Sequence, residues 1–309
     1  MKTTPVTPTD LAASVIAVPP LARNRDLTLN HAANQAMVRY LEDGGVRSLM
    51  YGGNANFYNV SVREYPALLD MLEQIAGDDS WVIPSAGPDF GKLMDQAAIL
   101  KTRAFPTAMV LPLTFPATND GIATGIRHFA EEFGKPVVVY IKSDNYLAPA
   151  TVGALARDGI VSAVKYGTVR ENPSEDSYLR ALLDVVDSTL IVSGIGERPA
   201  PVHFREFGLQ AFTSGSVCVA PRSSMRILRL LTAGRWDEAM EAREAFMPLE
   251  DCRDAFSPIR TLHHAVSFAD IADMGPMLPM LSDLPLAQQE KVREAAVALK
   301  QHDALVAAA

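Results

Sequence analysis

The stretch PVVVYIKSDNYLAPATVGALARDGIVSAVKYGTV, residues 136–169, contains two runs of small and β-branched residues separated by a segment with helical periodicity. Short apolar runs that end in polar or glycine residues predict strands, and residues 148–158 between them predict a helix. Parallel strands are usually joined by such a crossover helix. The stretch therefore predicts a strand–helix–strand unit of an α/β fold.

The same unit repeats along the chain. Eight candidate strands follow one another at 14–18, 47–51, 80–84, 107–111, 136–140, 160–165, 189–193 and 209–214. Candidate helices lie between and after them at 29–44, 62–77, 89–102, 117–134, 148–158, 173–187, 199–207 and 222–233. Strict alternation over eight units predicts a closed (β/α)8 TIM barrel. An open doubly wound sheet would usually carry a glycine fingerprint after its first strand, and AVPPLARN at 17–24 has none.

The alternation stops near residue 235. From there RWDEAMEAREAFMPLEDCRDA (235–255) and LAQQEKVREAAVALKQHDALV (286–306) have apolar residues three and four apart, which predicts helices. We therefore expect a barrel domain over 1–234, a helical C-terminal domain over 235–309, and a frayed N-terminal tail over 1–12.

Composition limits the partners. The 309 residues carry a net charge of −8 without a basic block, which disfavours nucleic acid and anionic membranes and favours a small-molecule substrate. Cys218 and Cys252 lack CxxC spacing and are expected to be reduced thiols. Neither a signal peptide nor an 18-residue apolar span is apparent, so we expect a cytoplasmic protein.

In a TIM barrel the active site lies at the C-terminal ends of the strands. Tyr140 ends strand 136–140 and Lys165 ends strand 160–165, so the two side chains would stand on neighbouring strands if both face the interior. A lysine in an apolar barrel mouth has a lowered pKa and supplies the neutral amine that attacks a ketone to form a Schiff base. A neighbouring phenol can transfer protons. The structural alternative is a solvated strand-end lysine beside a tyrosine that anchors the rim.

The spacing of Tyr140 and Lys165 resembles that of the dihydrodipicolinate synthase and N-acetylneuraminate lyase family of class I aldolases. MYGGNANFYNVSVREY (50–65) looks like the family's Gly-Thr-Thr-Gly-Glu segment, and residues 190–222 and 233–252 are similar to its seventh and eighth units and terminal helices. The resemblance implies a Schiff-base Lys165, a proton-transferring Tyr140 and a homotetramer built as a dimer of dimers.

Several positions depart from the family pattern. The Thr-Thr pair that binds the keto-acid carboxylate is replaced by Gly53 and Asn54, whose backbone N–H groups can still hold an anion. Thr114 stands near the relay tyrosine of the synthases, and Asn145 near their substrate-binding arginine. Both replacements argue against the lysine-biosynthetic reaction, because that arginine holds a carboxylate of the second substrate.

Three further residues are substrate-binding candidates. Glu197 aligns roughly with a position at which sugar-acid lyases bind hydroxyls, although a rim glutamate is more often solvated. Phe212 and Ser214 on the eighth strand could line the pocket. The six histidines have no metal-ligand spacing, so we expect neither a metal nor another cofactor.

These features predict a Schiff-base-forming lyase or aldolase that acts on pyruvate or a related 2-keto (sugar) acid and is not a true dihydrodipicolinate synthase. Three alternatives remain open. One is a 2-keto-3-deoxy sugar acid dehydratase of the same family. Another is a catalytically silent barrel that binds a keto or sugar acid. The third is a phosphate-binding barrel that uses the GIGE and TSGS segments after strands seven and eight, although this reading leaves Lys165 unexplained.

Overall fold

Eight parallel strands close into a barrel in chain order, with the first strand beside the eighth. In the computed structural model, which describes residues 1–308, they are β1 Ile16–Ala17, β2 Ser48–Tyr51, β3 Trp81–Ala86, β4 Met109–Val110, β5 Val137–Ile141, β6 Val161–Tyr166, β7 Ile191–Ser193 and β8 Ala211–Ser214. Both faces of such strands are covered, which is why their residues are nearly all apolar. The predicted (β/α)8 TIM barrel is confirmed.

Helices alternate with the strands around the barrel. They are α2 His31–Asp43, α3 Tyr65–Ile75, α4 Phe90–Lys101, α5 Asn119–Phe133, α6 Pro149–Arg157, α7 Ser177–Leu183, α8 Ala200–Phe207 and α9 Pro221–Thr232, preceded by α1 Pro8–Ala12. Several begin at the residue types that favour helix starts: Asn30, Asp89 and Thr118 accept a hydrogen bond from the first turn of their helices. Gly134 ends α5 in a left-handed conformation.

The N-terminal segment is ordered, and the expected frayed tail was wrong. Thr7 and Asp10 form a reciprocal capping box at the start of α1, and Leu11 is buried in the core. The backbone N–H of Lys2 donates to the carbonyl of Ser80 at 2.7 Å. The threonine, proline and aspartate residues of this segment therefore start a helix.

The pairing of β5 and β6 positions the candidate catalytic residues. Tyr140 lies opposite Lys165, and Val138 lies opposite Ala163. On β6 the next residue, Tyr166, stacks on Tyr178 of α7 at a ring-centroid distance of 6.0 Å, so it faces the outer helices. Because successive side chains alternate between the two faces of a strand, Lys165 faces the barrel interior.

Four helices follow the barrel: α10 Trp236–Arg243, α11 Met247–Ala255, α12 Pro258–Phe268 and α13 Leu286–Ala308. Helix α13 packs against α9, α11 and α12, and α10 packs against α8 and α9. The segment between α12 and α13 reaches the loop after β1, where the backbone N–H of Arg23 donates to the carbonyl of Met274 at 2.9 Å. The extension therefore contacts the end of the barrel at which the strands terminate.

Within residues 1–308, none of the helices combines the length and apolar character needed to cross a lipid bilayer.

Candidate active site

Lys165 is the central residue of the candidate site. Its side chain is 6% exposed, and its Nζ lies 4.7 Å from the centroid of the Tyr140 ring. Burial, together with the smaller effects of the positive charges of Arg253 and Lys142, lowers the pKa of Lys165 to about 7. A substantial fraction of the amine is therefore neutral at neutral pH, which is the form that attacks a carbonyl carbon.

Tyr140 is held against Lys165 by its backbone and by Gly167. A Cβ at residue 167 would lie only 2.7 Å from Cε2 of Tyr140, so the ring packs where a side chain would otherwise be. Burial raises the pKa of Tyr140 to about 12, with the Arg253 charge acting in the opposite direction. The phenol is therefore protonated at neutral pH and can donate a proton in the site.

A polar network on the outer side of β6 fixes the loop that follows Lys165. Tyr166 donates from its hydroxyl to Asp176 at 2.5 Å, and Nη2 of Arg170 donates to the same carboxylate at 3.0 Å. Asp176 also accepts from the backbone N–H of Leu179 and so caps α7. The network connects β6, its following loop and α7.

Gly53 and Asn54 lie in the loop after β2. The Asn54 side chain is oriented by a hydrogen bond from its Nδ2 to the carbonyl of Val18 at 3.0 Å. The neighbouring Gly52 faces the interior, where a Cβ would lie 3.0 Å from the buried hydroxyl of Ser85. The loop therefore brings an amide group and small residues to the barrel mouth, next to β3.

Thr114 and Asn145 are both exposed. Thr114 lies in the loop after β4, directly before Phe115, and Asn145 lies in the turn between β5 and α6. Lys142, two residues after Tyr140, is also exposed. Neither loop residue is brought into the buried cluster around Lys165.

The structure corrects the expected environment of Glu197. Its side chain is fully buried, and its two carboxylate oxygens accept from the hydroxyls of Ser214 at 2.8 Å and Ser224 at 2.5 Å. Burial raises the pKa of Glu197, and the nearby carboxylate of Glu250 adds to this effect. Glu197 therefore packs among serines at the barrel end, where both of its oxygens are occupied.

The structure also corrects the expectation that Phe212 and Ser214 line the pocket. Phe212 packs edge-to-face on Phe204 of α8 at a centroid distance of 6.2 Å, and Ser214 is paired with Glu197. Phe212 lies opposite Ser193, whose hydroxyl contacts His203 of α8. Both side chains therefore occupy the outer face of β8, because β8 carries its inward-facing residues at the alternate positions.

Sequence reasoning missed two residues close to the site. Tyr58 lies near Tyr140, and burial together with that phenol raises its pKa. Arg253, from α11 of the extension, is 9% exposed, and its charge acts on both Lys165 and Tyr140. In the sequence Arg253 follows Glu250 by three residues, a spacing typical of solvated helix faces. Only the burial of α11 distinguishes it from a surface arginine.

Among the described residues, no group of three or more histidine, cysteine, aspartate or glutamate side chains is arranged to hold a metal ion. The side chains of Lys165, Tyr140, Tyr58, Arg253 and Asn54 bring an amine, two phenols, a guanidinium and an amide to this end of the barrel.

Known structures with this architecture cover nearly the whole chain. Dihydrodipicolinate synthase from Bacillus clausii is 19% identical, with a TM-score of 0.82 over 94% of this chain and 98% of its own. Sialic acid aldolase from Ruminococcus gnavus is 14% identical, with a TM-score of 0.83 over 95% and 99%. That aldolase has also been solved as a catalytic lysine mutant. PhdJ bound to a substrate intermediate is 17% identical, with a TM-score of 0.83 over 98% and 99%.

At these identities the structural likeness defines the fold alone. Comparison with curated proteins gave no match. A family model, that of the dihydrodipicolinate synthetase family, matches residues 12–301 and so spans the barrel and most of the extension. The chain therefore belongs to the dihydrodipicolinate synthetase family.

Proposed function

We propose that the protein is a Schiff-base-forming lyase or aldolase that acts on pyruvate or a related 2-keto acid. The observation that carries this proposal is the buried Lys165 amine, which has a lowered pKa of about 7 and lies 4.7 Å from the Tyr140 ring. An isolated buried lysine is costly, and a site with such a perturbed pKa is a functional candidate.

Family membership supports a lyase or aldolase in general. Two structures with this fold show related features: the R. gnavus sialic acid aldolase has a catalytic lysine, and PhdJ was solved with a substrate intermediate. We carry the lysine role to Lys165, because Lys165 combines a strand-end position with a buried, neutral amine.

The reaction begins when the neutral Nζ of Lys165 attacks the ketone carbon and forms a C–N bond. The ketone oxygen takes up a proton, and a second proton transfer lets it leave as water, which yields the imine. The Tyr140 phenol is positioned to supply and recover these protons, since its raised pKa keeps it protonated. Loss of a proton or of a carbon fragment next to the imine gives an enamine, and the reverse steps release the product.

We further propose that the substrate differs from that of dihydrodipicolinate synthase. Thr114 and Asn145, which stand near the relay tyrosine and the arginine of that enzyme, are exposed loop residues here. Condensation of pyruvate with aspartate semialdehyde should therefore be negligible in an assay coupled to dihydrodipicolinate reductase.

Reductive trapping tests the proposal. Incubation with pyruvate and borohydride should add one reduced pyruvate unit, and peptide mapping should locate it on Lys165. Lys165→Ala should abolish the adduct, whereas Lys142→Ala, which removes an exposed lysine nearby, should leave it unchanged. Tyr140→Phe should still be trapped slowly but lose turnover by roughly 10²–10⁴-fold, the usual effect of losing a general acid or base.

An adduct on Lys142, or no adduct with any 2-keto acid tried, would contradict the Schiff-base proposal. The silent, ligand-binding barrel would then be the better description of this chain.

A further inference from the structure

The cluster formed by Arg253, Glu250 and Asn54 at the barrel mouth has no counterpart in the steps described above. Arg253 and Glu250 come from α11, and Asn54 comes from the loop after β2. Nη1 of Arg253 donates to Oε1 of Glu250 at 2.7 Å, and Glu250 also accepts from the hydroxyl of Ser216. Oε1 of Glu250 thus holds one end of the guanidinium in place.

The guanidinium nevertheless keeps unused donors. An arginine carries five N–H donors, and the buried Nε of Arg253 has no acceptor within residues 1–308. Nη2 of Arg253 and Nδ2 of Asn54 each lie 3.0 Å from the point where a Cβ of Gly215 would be. The glycine leaves room for two donors to converge beside the strand end.

Two N–H donors that point to the same place can both bind one acceptor group there. Asn54 already uses one N–H of its Nδ2 on the carbonyl of Val18, which fixes the orientation of its amide and leaves the second N–H free. Two neighbouring donors cannot satisfy each other, and leaving buried donors unpaired is unfavourable. A carboxylate, with two acceptor oxygens, can accept from both groups at once.

We propose that Arg253 and Asn54 bind the carboxylate that adjoins the ketone of the substrate. This inference rests on the proposed Schiff-base function, since the carboxylate must lie within one bond of the carbon that Lys165 attacks. In this chain Arg253 and Asn54 thus bind the carboxylate in place of the family's Thr-Thr pair. The C-terminal extension thereby contributes a substrate-binding residue to the barrel.

Selective loss of carboxylate recognition tests the proposal. Trapping of pyruvate by the full chain is compared with trapping of methyl pyruvate, which has the same ketone but no negative charge. Arg253→Gln should slow trapping of subsaturating pyruvate about 10- to 100-fold more than trapping of methyl pyruvate, as expected for losing hydrogen bonds to a charged group. Loss of the Arg253 charge also raises the pKa of Lys165, which slows both substrates alike. Asn54→Ala should also lower the ratio of the pyruvate trapping rate to the methyl pyruvate trapping rate, but by a smaller factor.

Matched variants separate recognition from structure. Arg198→Gln removes a half-exposed arginine that pairs with Asp251 and Asp254 at the same end of the barrel, and it should leave the ratio unchanged. Arg253→Lys keeps the charge but loses the planar fork, so it should recover part of the selectivity. If Arg253→Gln does not fold because Glu250 is left unpaired, the double variant Glu250→Gln with Arg253→Gln removes both charges together.

The unmodified protein gives one more comparison. Relative to a free primary amine, it should prefer pyruvate over methyl pyruvate. If the protein has no such preference, or if Arg253→Gln slows the trapping of both substrates equally, the carboxylate assignment is overturned. Failure of the unmodified protein to trap either substrate would instead refute the Schiff-base proposal itself.

Discussion

At the scale of single residues, the burial of Lys165 has a thermodynamic consequence. An unfolded chain holds this lysine near its ordinary pKa of 10.5, whereas the folded chain lowers the value to about 7. Between these pH values the unfolded state binds more protons than the folded state, so this group makes stability rise with pH. Its full destabilising effect is present below about pH 7.

We therefore predict that Lys165→Met stabilises the protein. The gain in the free energy of unfolding should be greatest near pH 6, at most roughly 5 kcal/mol at about 1.4 kcal/mol per pKa unit, and should shrink towards pH 10. Urea unfolding at several pH values measures this difference, with Lys101→Met, which alters an exposed lysine of α4, as the control. A gain that does not vary with pH would mean that Lys165 titrates normally in the folded state.

Gly167 permits a second prediction at this scale. Gly167→Ala places a methyl group against the Tyr140 ring, at 2.7 Å from Cε2, so the ring must move away from Lys165. Turnover should fall at least about tenfold, because proton transfer depends on position, while slow trapping on Lys165 persists. Gly91→Ala, whose new methyl group would have Asp89 Oδ1 at 3.6 Å as its nearest neighbour, is the control. Unchanged turnover in Gly167→Ala would argue against a precise position for Tyr140.

The properties of single residues also explain which parts of the site could be predicted from the sequence. Lys165 and Tyr140 could be found because an ionisable residue at the end of an apolar run is conspicuous. Arg253 could not, since nothing in its helical segment differs from a solvated face. Phe212 and Ser214 were misplaced because a strand of four residues does not reveal which of its alternate faces is inside.

At the scale of elements, the network around Asp176 holds β6 to α7. The Asp176 carboxylate is fully buried and accepts from Tyr166, Arg170 and the backbone of Leu179. Burial alone would raise the pKa of Asp176, but the hydrogen bonds from Arg170 and Tyr166 hold it below its usual value. The ionised carboxylate is therefore the partner around which this connection is built.

We predict that Asp176→Ala destabilises the protein by about 2–3 kcal/mol, since it leaves the buried Tyr166 hydroxyl and the first turn of α7 without their acceptor, while Arg170 keeps its second carboxylate, Asp144. Urea unfolding at neutral pH measures the loss. Asp187→Ala removes an exposed aspartate that likewise caps a short helical turn, and it should have little effect. If both variants lose a similar free energy of unfolding, Asp176 contributes only as a helix cap.

All eight predicted strands are present, because buried parallel strands are continuous apolar runs that polar turns clearly delimit. Prediction was weaker where an element is not an apolar run bounded by polar turns. The segment 235–255 forms the two helices α10 and α11 rather than one, and α1 was read as tail because five residues are too few for a periodic pattern. A capping box marks the start of α1, whereas continuous apolar runs mark the strands.

At the scale of the whole molecule, an apolar groove lies between α4, α5 and the loop after β4. It has a volume of about 820 Å³, and beside it Phe115 is 85% exposed and Phe90 is 54% exposed. Exposed apolar patches of this kind mark interaction surfaces. We propose that a second copy of this chain covers the groove, as part of the predicted homotetramer.

Phe115→Asp should therefore shift the oligomer towards smaller species in light scattering coupled to size-exclusion chromatography. The charged side chain would otherwise be buried without a partner. Met280→Asp alters a similarly exposed apolar residue, 89% exposed, that lies away from this groove, and it should leave the mass unchanged. An unmodified protein that runs as a monomer would refute both the tetramer and this surface.

The position of Arg253 in the chain also sets an order of assembly. A ribosome synthesises Tyr140, Lys165 and all eight strands before it adds α11. A nascent chain that ends after α9 already contains every strand of the barrel but lacks the guanidinium beside its reactive amine. We expect such a chain to be a poor trap for the keto acids around it, so that imine chemistry begins only when translation is nearly complete.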